Sequence, residues 1–328
     1  MSNHQTSSQA TMTAVTQTTF GDADVLSLST VARPEPLPTE VLVRVGAAGV
    51  NPVDWKTRAG AGMAHVLGEP PFVLGWDVAG VVEEVGFGVT TLAPGDRVFG
   101  MPWFPRQAGG YAQFVTAPSR QLARIPANLT VEEAAAVPLA ALTAWQSLVD
   151  AAHVEAGQKV VVTAAGGGVG HFAVQLAHHL GAEVVAVASE RHHAWLRAHG
   201  ADQVVDYTRT RFEDEIDGAD VVVELVGDGP DDTPRRAVEV LRPGGILVAV
   251  PGGVPQRAAE AARAADVRTT AFLVEPDGAA LATIAGLLEQ RAVEVELAAV
   301  YPLADVAEAH QAGETGRTRG KIVLRVDH

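Results

Sequence analysis

The sequence predicts an α/β protein: a doubly wound parallel sheet joined to a second, mostly β unit. Three observations carry this. Between Leu139 and Leu273, short apolar strands alternate with helical stretches, and repeated β–α units of that length require a parallel sheet covered by helices. Inside that region the stretch VVVTAAGGGVGHFAVQLA, 160–177, joins a β-branched strand, a glycine-rich turn and an amphipathic helix. From Thr13 to Pro138 the runs EVLVRVGAAGV, DVAGVVEEVG, GDRVFG and AQFVTAP alternate and are punctuated by glycine and proline, the pattern of a small antiparallel barrel.

The elements follow in order. Residues 1–12 open with MSNHQTSSQAT, polar and without the apolar stretch of a secretory signal, and are expected to form a disordered tail. The barrel strands come next. The parallel sheet is expected from Lys159–Thr163, Glu183–Ala188, Gln203–Asp206, Asp220–Leu225, Ile246–Val250 and Val267–Phe272, with Gly181 and Gly200 ending two of the intervening helices. Beyond Pro276 the pattern gives a helix, Gly278–Glu289, and a last strand, Lys321–Val326. This piece is expected to pack back onto the first region, so that a discontinuous unit (13–138 and 274–328) flanks the sheet unit (139–273). Val267–Phe272 reads as an edge strand apolar enough to need covering, which predicts a homodimer that continues the sheet.

Composition excludes several classes of function. A chain of 328 residues is long enough for two cores. The net charge of −15 disfavours nucleic acid and anionic membranes as partners. The absence of cysteine removes disulfides, thiolate zinc sites and a cysteine nucleophile together. No apolar run reaches the ~18–20 residues that span a bilayer. A cytoplasmic protein acting on a small molecule is the expectation.

Ala164, Gly167 and Gly170, with Gly168 and Val169 between them, fall at the spacing of a dinucleotide-binding turn, with alanine in the first place. Small residues there let the backbone turn tightly and approach a pyrophosphate, which the helix N–H groups bind. About twenty residues further on, NAD-preferring folds place an acid on the adenosine ribose. This chain has Ser189, then Glu190 and Arg191. Serine removes the charge that would repel a 2′-phosphate, and Arg191 offers it a fork of donors, so NADP(H) is the expected cofactor. Ser189 also reads as a helix N-cap, and Glu190 as an acid turned inward.

Seven ordered motifs resemble the medium-chain dehydrogenase/reductase superfamily, and within it the zinc-free quinone-oxidoreductase branch. They are AAGVNPVDWKTRAG (47–60), GWDVAGVVEEVG (75–86), PGDRVFG (94–100), PLAALTAWQSL (138–148), the glycine turn, GADQVVDY (200–207) and RGKIVL (319–324). The resemblance implies a Rossmann cofactor unit and a GroES-like barrel. It also implies that Asn51 and Trp76 stand where zinc-dependent relatives carry a metal-binding cysteine and histidine. Neither is a normal zinc ligand, so no metal is expected. The pairs His178–His179 and His192–His193 read as solvated helix surface, because adjacent helical residues diverge by about 100°.

The family's motifs place Asn51, Lys56 and Thr143 at the reacting end, as donors or a cation where charge develops on an acceptor. Plainer roles stay open: Asn51 bracing a turn, Lys56 a solvated charge, Thr143 a helix cap. The resemblance puts Tyr207 at the adenosine end. The loops after the later strands, Val226–Gly227, Pro251–Gly252 and Phe272–Leu273, are expected near the nicotinamide, with Arg319 and Lys321 closing the cleft. Asp77 reads as an internal salt bridge or backbone acceptor beside that cleft. Trp55, Trp76, Trp103 and Phe104 read as pocket wall or as core. The function expected is NADPH-dependent hydride transfer to a quinone or α,β-unsaturated carbonyl. The alternatives are an enoyl-thioester reductase and a non-catalytic NADPH-binding protein.

Overall fold

The computed structural model describes residues 10–328. The first part of the chain forms β1 (Thr11–Gln17), β2 (Ser27–Ala32), β3 (Glu40–Val50), β4 (Phe72–Val73), β5 (Asp77–Val85), β6 (Arg97–Gly100), β7 (Phe114–Pro118) and β8 (Leu122–Arg124). The middle forms β9 (Lys159–Val162), β10 (Glu183–Val187), β11 (Gln203–Val205), β12 (Ala219–Glu224), β13 (Leu241–Ala249) and β14 (Arg268–Ala271). Last come β15 (Leu297–Pro302) and β16 (Lys321–Arg325).

The six middle strands make one parallel sheet in the order β11-β10-β9-β12-β13-β14. The chain runs outward from β9 in one direction and then restarts beside it with β12. Ligands of such sheets bind in the crevice at the carboxyl ends of those two strands, where the order reverses. The strands are apolar throughout because both faces are covered. Val160, Val162, Val184, Ala186, Val221 and Val223 pack on one face against Leu142, Phe172 and Leu176. Val161, Val185, Val187, Val222 and Leu247 pack on the other against Val238, Ala258 and Ala262. Each buried valine, leucine or phenylalanine among them contributes roughly 1.5–3 kcal/mol, which fixes the sheet as a rigid platform.

The GroES-like part is a seven-stranded sheet, β15-β16-β3-β5-β6-β8 with β7 also on β3, beside a small sheet β2-β1-β4. The last strand, β16, pairs antiparallel with β3, from Ile322 opposite Val50 to Arg325 opposite Ala47. The helix Gly278–Glu289 has the bounds that the apolar spacing predicts and buries Leu281 and Ile284 in the core shared with the parallel sheet. Trp76, Phe99 and Val323 from the barrel belong to that same core.

One expectation changes here, and one open alternative is decided. The tail reading of residues 1–12 lies outside the described residues up to residue 9, and Thr11 and Met12 are already paired in β1 with Ala32 and Val31. Trp76 and Phe104 are core: Trp76 is buried, donates from Nε1 to the Arg106 carbonyl at 2.6 Å, and meets Phe104 edge-on at 5.3 Å. No helix of the described residues is long and apolar enough to cross a membrane.

Candidate active site

The turn after β9 begins with Ala164 in a left-handed conformation, φ 47°, which alanine adopts at a cost that glycine would avoid. Its carbonyl explains the last glycine of the motif. A Cβ on Gly170 would fall 2.4 Å from Ala164 O and 2.6 Å from Ala165 Cα, so the helix Gly170–His179 can sit on the strand only with hydrogen at that position. A Cβ on Gly168 would meet the Lys321 side chain at 3.0 Å, and one on Gly166 the His192 ring at 2.9 Å. The turn is thus enclosed from the barrel side and from the β10 side at once. Gly320 N–H donates to the Gly166 carbonyl at 3.1 Å, fastening the C-terminal segment to the turn. His171, on the first turn of the helix, donates from Nδ1 to Gly167 O at 3.0 Å, and burial pushes its imidazole down to about 4, so it stays neutral.

A cavity of about 740 Å³ opens beside this turn. Its lining includes Ala164 and Gly167 of the turn, Ser189 and Arg191 after β10, Tyr207 after β11 and Val226 after β12. The acid that could have turned inward does not: Glu190 is paired with Arg209 at 2.5 Å. Tyr207 is largely exposed on the rim. Backbone donors of a helix start, small residues and an arginine lining the same cavity suit a dinucleotide pyrophosphate and its adenosine end.

Deeper, between the barrel and the helix Pro138–Gln146, lies a buried polar network. Asp77 Oδ1 accepts from Leu139 N–H at 2.7 Å and Oδ2 from Asn51 Nδ2 at 2.8 Å. The Lys321 ammonium donates to Val50 O at 3.0 Å and to Asn51 Oδ1, and lies 3.6 Å from Asp77 Oδ2. Burial raises the Asp77 carboxyl and lowers the Lys321 ammonium, and each opposes the shift of the other. Asp54, whose Oδ2 accepts from Asn51 N–H at 2.7 Å, is pushed up to about 7 by burial. Thr143 stands one turn along from Leu139 and donates its hydroxyl to that residue's carbonyl at 2.7 Å.

The structure therefore joins Asn51, Asp77 and Lys321 in one network, with Gly168 against the Lys321 side chain and Thr143 tied to the backbone of Leu139, whose N–H Asp77 accepts. Lys56 is not among them: it lies on the exposed face of the helix Pro52–Arg58 and makes no side-chain hydrogen bond or ion pair among the described residues. Arg319 and Lys321, expected to close the cleft, both have partners within the fold. Arg319 is held by Glu296 at 2.5 Å and lies over the Trp195 ring, and Lys321 is a buried tie whose side chain abuts Gly168 of the turn.

Val226–Gly227, Pro251–Gly252 and Phe272–Leu273 follow β12, β13 and β14 and line up along the carboxyl edge of the sheet, with Val226 and Leu273 half exposed. Sequence reading missed what shapes the first of these loops. Glu224 is fully buried, accepts from Val226 N–H at 2.8 Å and Gly227 N–H at 3.0 Å, and contacts the Thr163 hydroxyl. A charged residue inside the apolar run VVVEL (221–225) was the available signal. Sequence reading also missed His192. His178 and His179 are exposed as expected, but His192 is buried against the glycine turn. Among the described residues no three His, Cys, Asp or Glu side chains converge as a metal site would need.

Comparison with known proteins agrees with this architecture. Residues 37–127 match the alcohol dehydrogenase GroES-like domain, and residues 199–324 match the zinc-binding dehydrogenase family. A 2-methylene-furan-3-one reductase of Solanum lycopersicum is 36% identical over 95% of this chain and 79% of its own length. The quinone oxidoreductase of Coxiella burnetii superposes with a TM-score of 0.90 at 33% identity, covering 97% of this chain and 100% of that one. A mycobacterial protein solved with NADPH gives 0.84 at 32% identity, covering 96% and 100%. The fold and the turn define a nicotinamide-dependent oxidoreductase class. The chain belongs to the medium-chain dehydrogenase/reductase superfamily, among its quinone and alkenal oxidoreductase relatives.

Proposed function

We propose that this protein is a zinc-independent, NADPH-dependent reductase of quinones or α,β-unsaturated carbonyls. The observation that carries the cofactor preference is the state of Arg191. Its guanidinium sits at the adenosine end of the cavity with no carboxylate partner among the described residues, while Glu190 is tied to Arg209 and Ser189 stands in place of the ribose acid. A free guanidinium there favours a phosphomonoester over a bare ribose. When bound, the nicotinamide supplies a hydride.

The protein's own residues hold and orient. The helix start receives the pyrophosphate, the network of Asp77, Asn51 and Lys321 fixes the barrel against the turn, and the carboxyl-edge loops offer apolar surface to a planar acceptor. The donor set supports zinc independence. Asn51 is engaged by Asp77 and by the Lys321 ammonium, a cation already standing where a metal would need room, and Trp76 is buried core. The substrate class rests on the relatives, one named for quinones and one for a 2-methylene-furan-3-one, itself an enone.

NADPH is expected to bind at least tenfold more tightly than NADH, a ratio that one charge-assisted contact of ~1.5–3 kcal/mol supplies. Arg191→Ala should weaken NADPH and leave NADH nearly unchanged in a fluorescence titration, and equal loss for both would overturn the assignment. With NADPH, 1,4-benzoquinone and a simple enone should turn over faster than crotonyl-CoA, before and after dialysis against a chelator. Activity restricted to the thioester, or lost with the metal, would reject the substrate class or the zinc-free reading respectively.

A further inference from the structure

Arg191 differs from every other arginine at the cavity in what holds it. Arg209 is paired with Glu190 and Asp206, Arg211 and Arg236 with Glu213, and Arg235 with Asp232 and Glu239. Their charges are largely spent on those carboxylates. Arg191 is held by neutral acceptors instead: its Nε–H donates to His192 Nε2 at 3.0 Å and its Nη2 to the Arg317 carbonyl at 3.0 Å. Two of the five guanidinium N–H groups are used and three remain, with the positive charge intact.

His192 is able to act as that acceptor because of where its ring lies. It is 7% exposed although Glu190 and Arg191, the two residues immediately before it, are exposed. The ring fills the notch that Gly166 leaves open, where a Cβ would stand 2.9 Å from Cγ and Cδ2, and the Trp195 ring lies 6.5 Å from it, edge-on. A ring so packed cannot turn away from Arg191. Accepting at Nε2 places the proton on Nδ1 and requires the neutral form. Burial, followed by the charges of Arg191, Arg319 and His193, holds the imidazole below its usual range, with Glu296 pulling the other way.

We propose that His192 is a positioning residue for cofactor selectivity: its imidazole fixes the Arg191 guanidinium so that it meets the 2′-phosphate of NADPH already oriented. The proposal rests on the NADPH reading above. An arginine that must be immobilised on binding loses affinity relative to one already fixed, by about two- to tenfold.

The test is titration of the full chain with NADPH and with NADH. His192→Leu removes the acceptor at similar volume and should weaken NADPH by about two- to tenfold with NADH unchanged. His192→Gln, whose side-chain oxygen can accept, should recover most of the loss. In an Arg191→Ala background, His192→Leu should add nothing. Should leucine disturb the turn, NADH binding would fall too, and His192→Phe, which keeps a ring without an acceptor, then decides. Equal loss of both cofactors in the Phe variant, or no loss in either variant, overturns the proposal while leaving the selective effect of Arg191→Ala standing. If Arg191→Ala itself shows no selective effect, the NADPH reading fails first.

Discussion

At Lys321 a single ammonium sits under the glycine turn, donating to Val50 O and Asn51 Oδ1 and facing Asp77 across 3.6 Å, all of them buried. Removing one partner of a buried pair is costly because the other charge is left uncompensated. Lys321→Met should therefore destabilise the protein by ~3–5 kcal/mol in urea unfolding, and adding Asp77→Asn should recover part of that loss by removing the stranded carboxylate. Two fully additive losses would show that the pair does not interact in the way the geometry implies. The sequence made one side of this network legible, since Asp77 in GWDVAG read as an internal acceptor and Asn51 as a polar residue at the family's site. Lys321 was placed at the cleft by RGKIVL, but its bond to Asn51 was not legible, because the two lie 270 residues apart and only the pairing of β16 with β3 brings them together. His192 was hidden for a related reason. Its burial comes from the missing side chain of Gly166, a contact that no local pattern records.

At the scale of elements, most of the parallel sheet could be read directly. Its strands are β-branched runs bounded by glycine turns, and each observed strand lies within a residue or two of expectation except β13, which begins earlier, at Leu241. β13 resisted because RPGG looks like a loop, yet the chain stays extended through it, with the irregularity taken up at Gly244, φ 79°. The barrel strands were readable as strands but not in their pairing, which is long-range. The turn after β9 yields a prediction that separates two glycines. Gly170→Ala drives a Cβ into Ala164 O and Ala165 Cα, both backbone, so the helix must lift from the strand, whereas the nearest atom to a Cβ on Gly167 is Ala164 O at 3.2 Å. Gly170→Ala should therefore lower the melting temperature and weaken both NADPH and NADH, while Gly167→Ala should cost far less stability. Equal melting temperatures for the two variants would mean that the close packing of helix on strand is not what the last glycine secures.

For the whole molecule, the expected homodimer turns on β14. It is the last strand of the parallel sheet, paired with β13 on one side, and its residues Arg268–Ala271 are exposed or half-buried. An unpaired edge of this kind invites another strand, and two copies meeting across a twofold axis would satisfy both rows of backbone groups. The ladder says which groups face outward. Phe272 N–H donates to the Ala249 carbonyl on β13, so by alternation the N–H groups of Thr269 and Ala271 point away from the sheet. Light scattering at micromolar concentration should give about twice the chain mass, and Thr269→Pro, which deletes one outward donor while sparing the bonds to β13, should shift the protein toward monomer. A monomeric wild-type protein would exclude pairing through this edge. A dimer indifferent to Thr269→Pro would place the interface on another face.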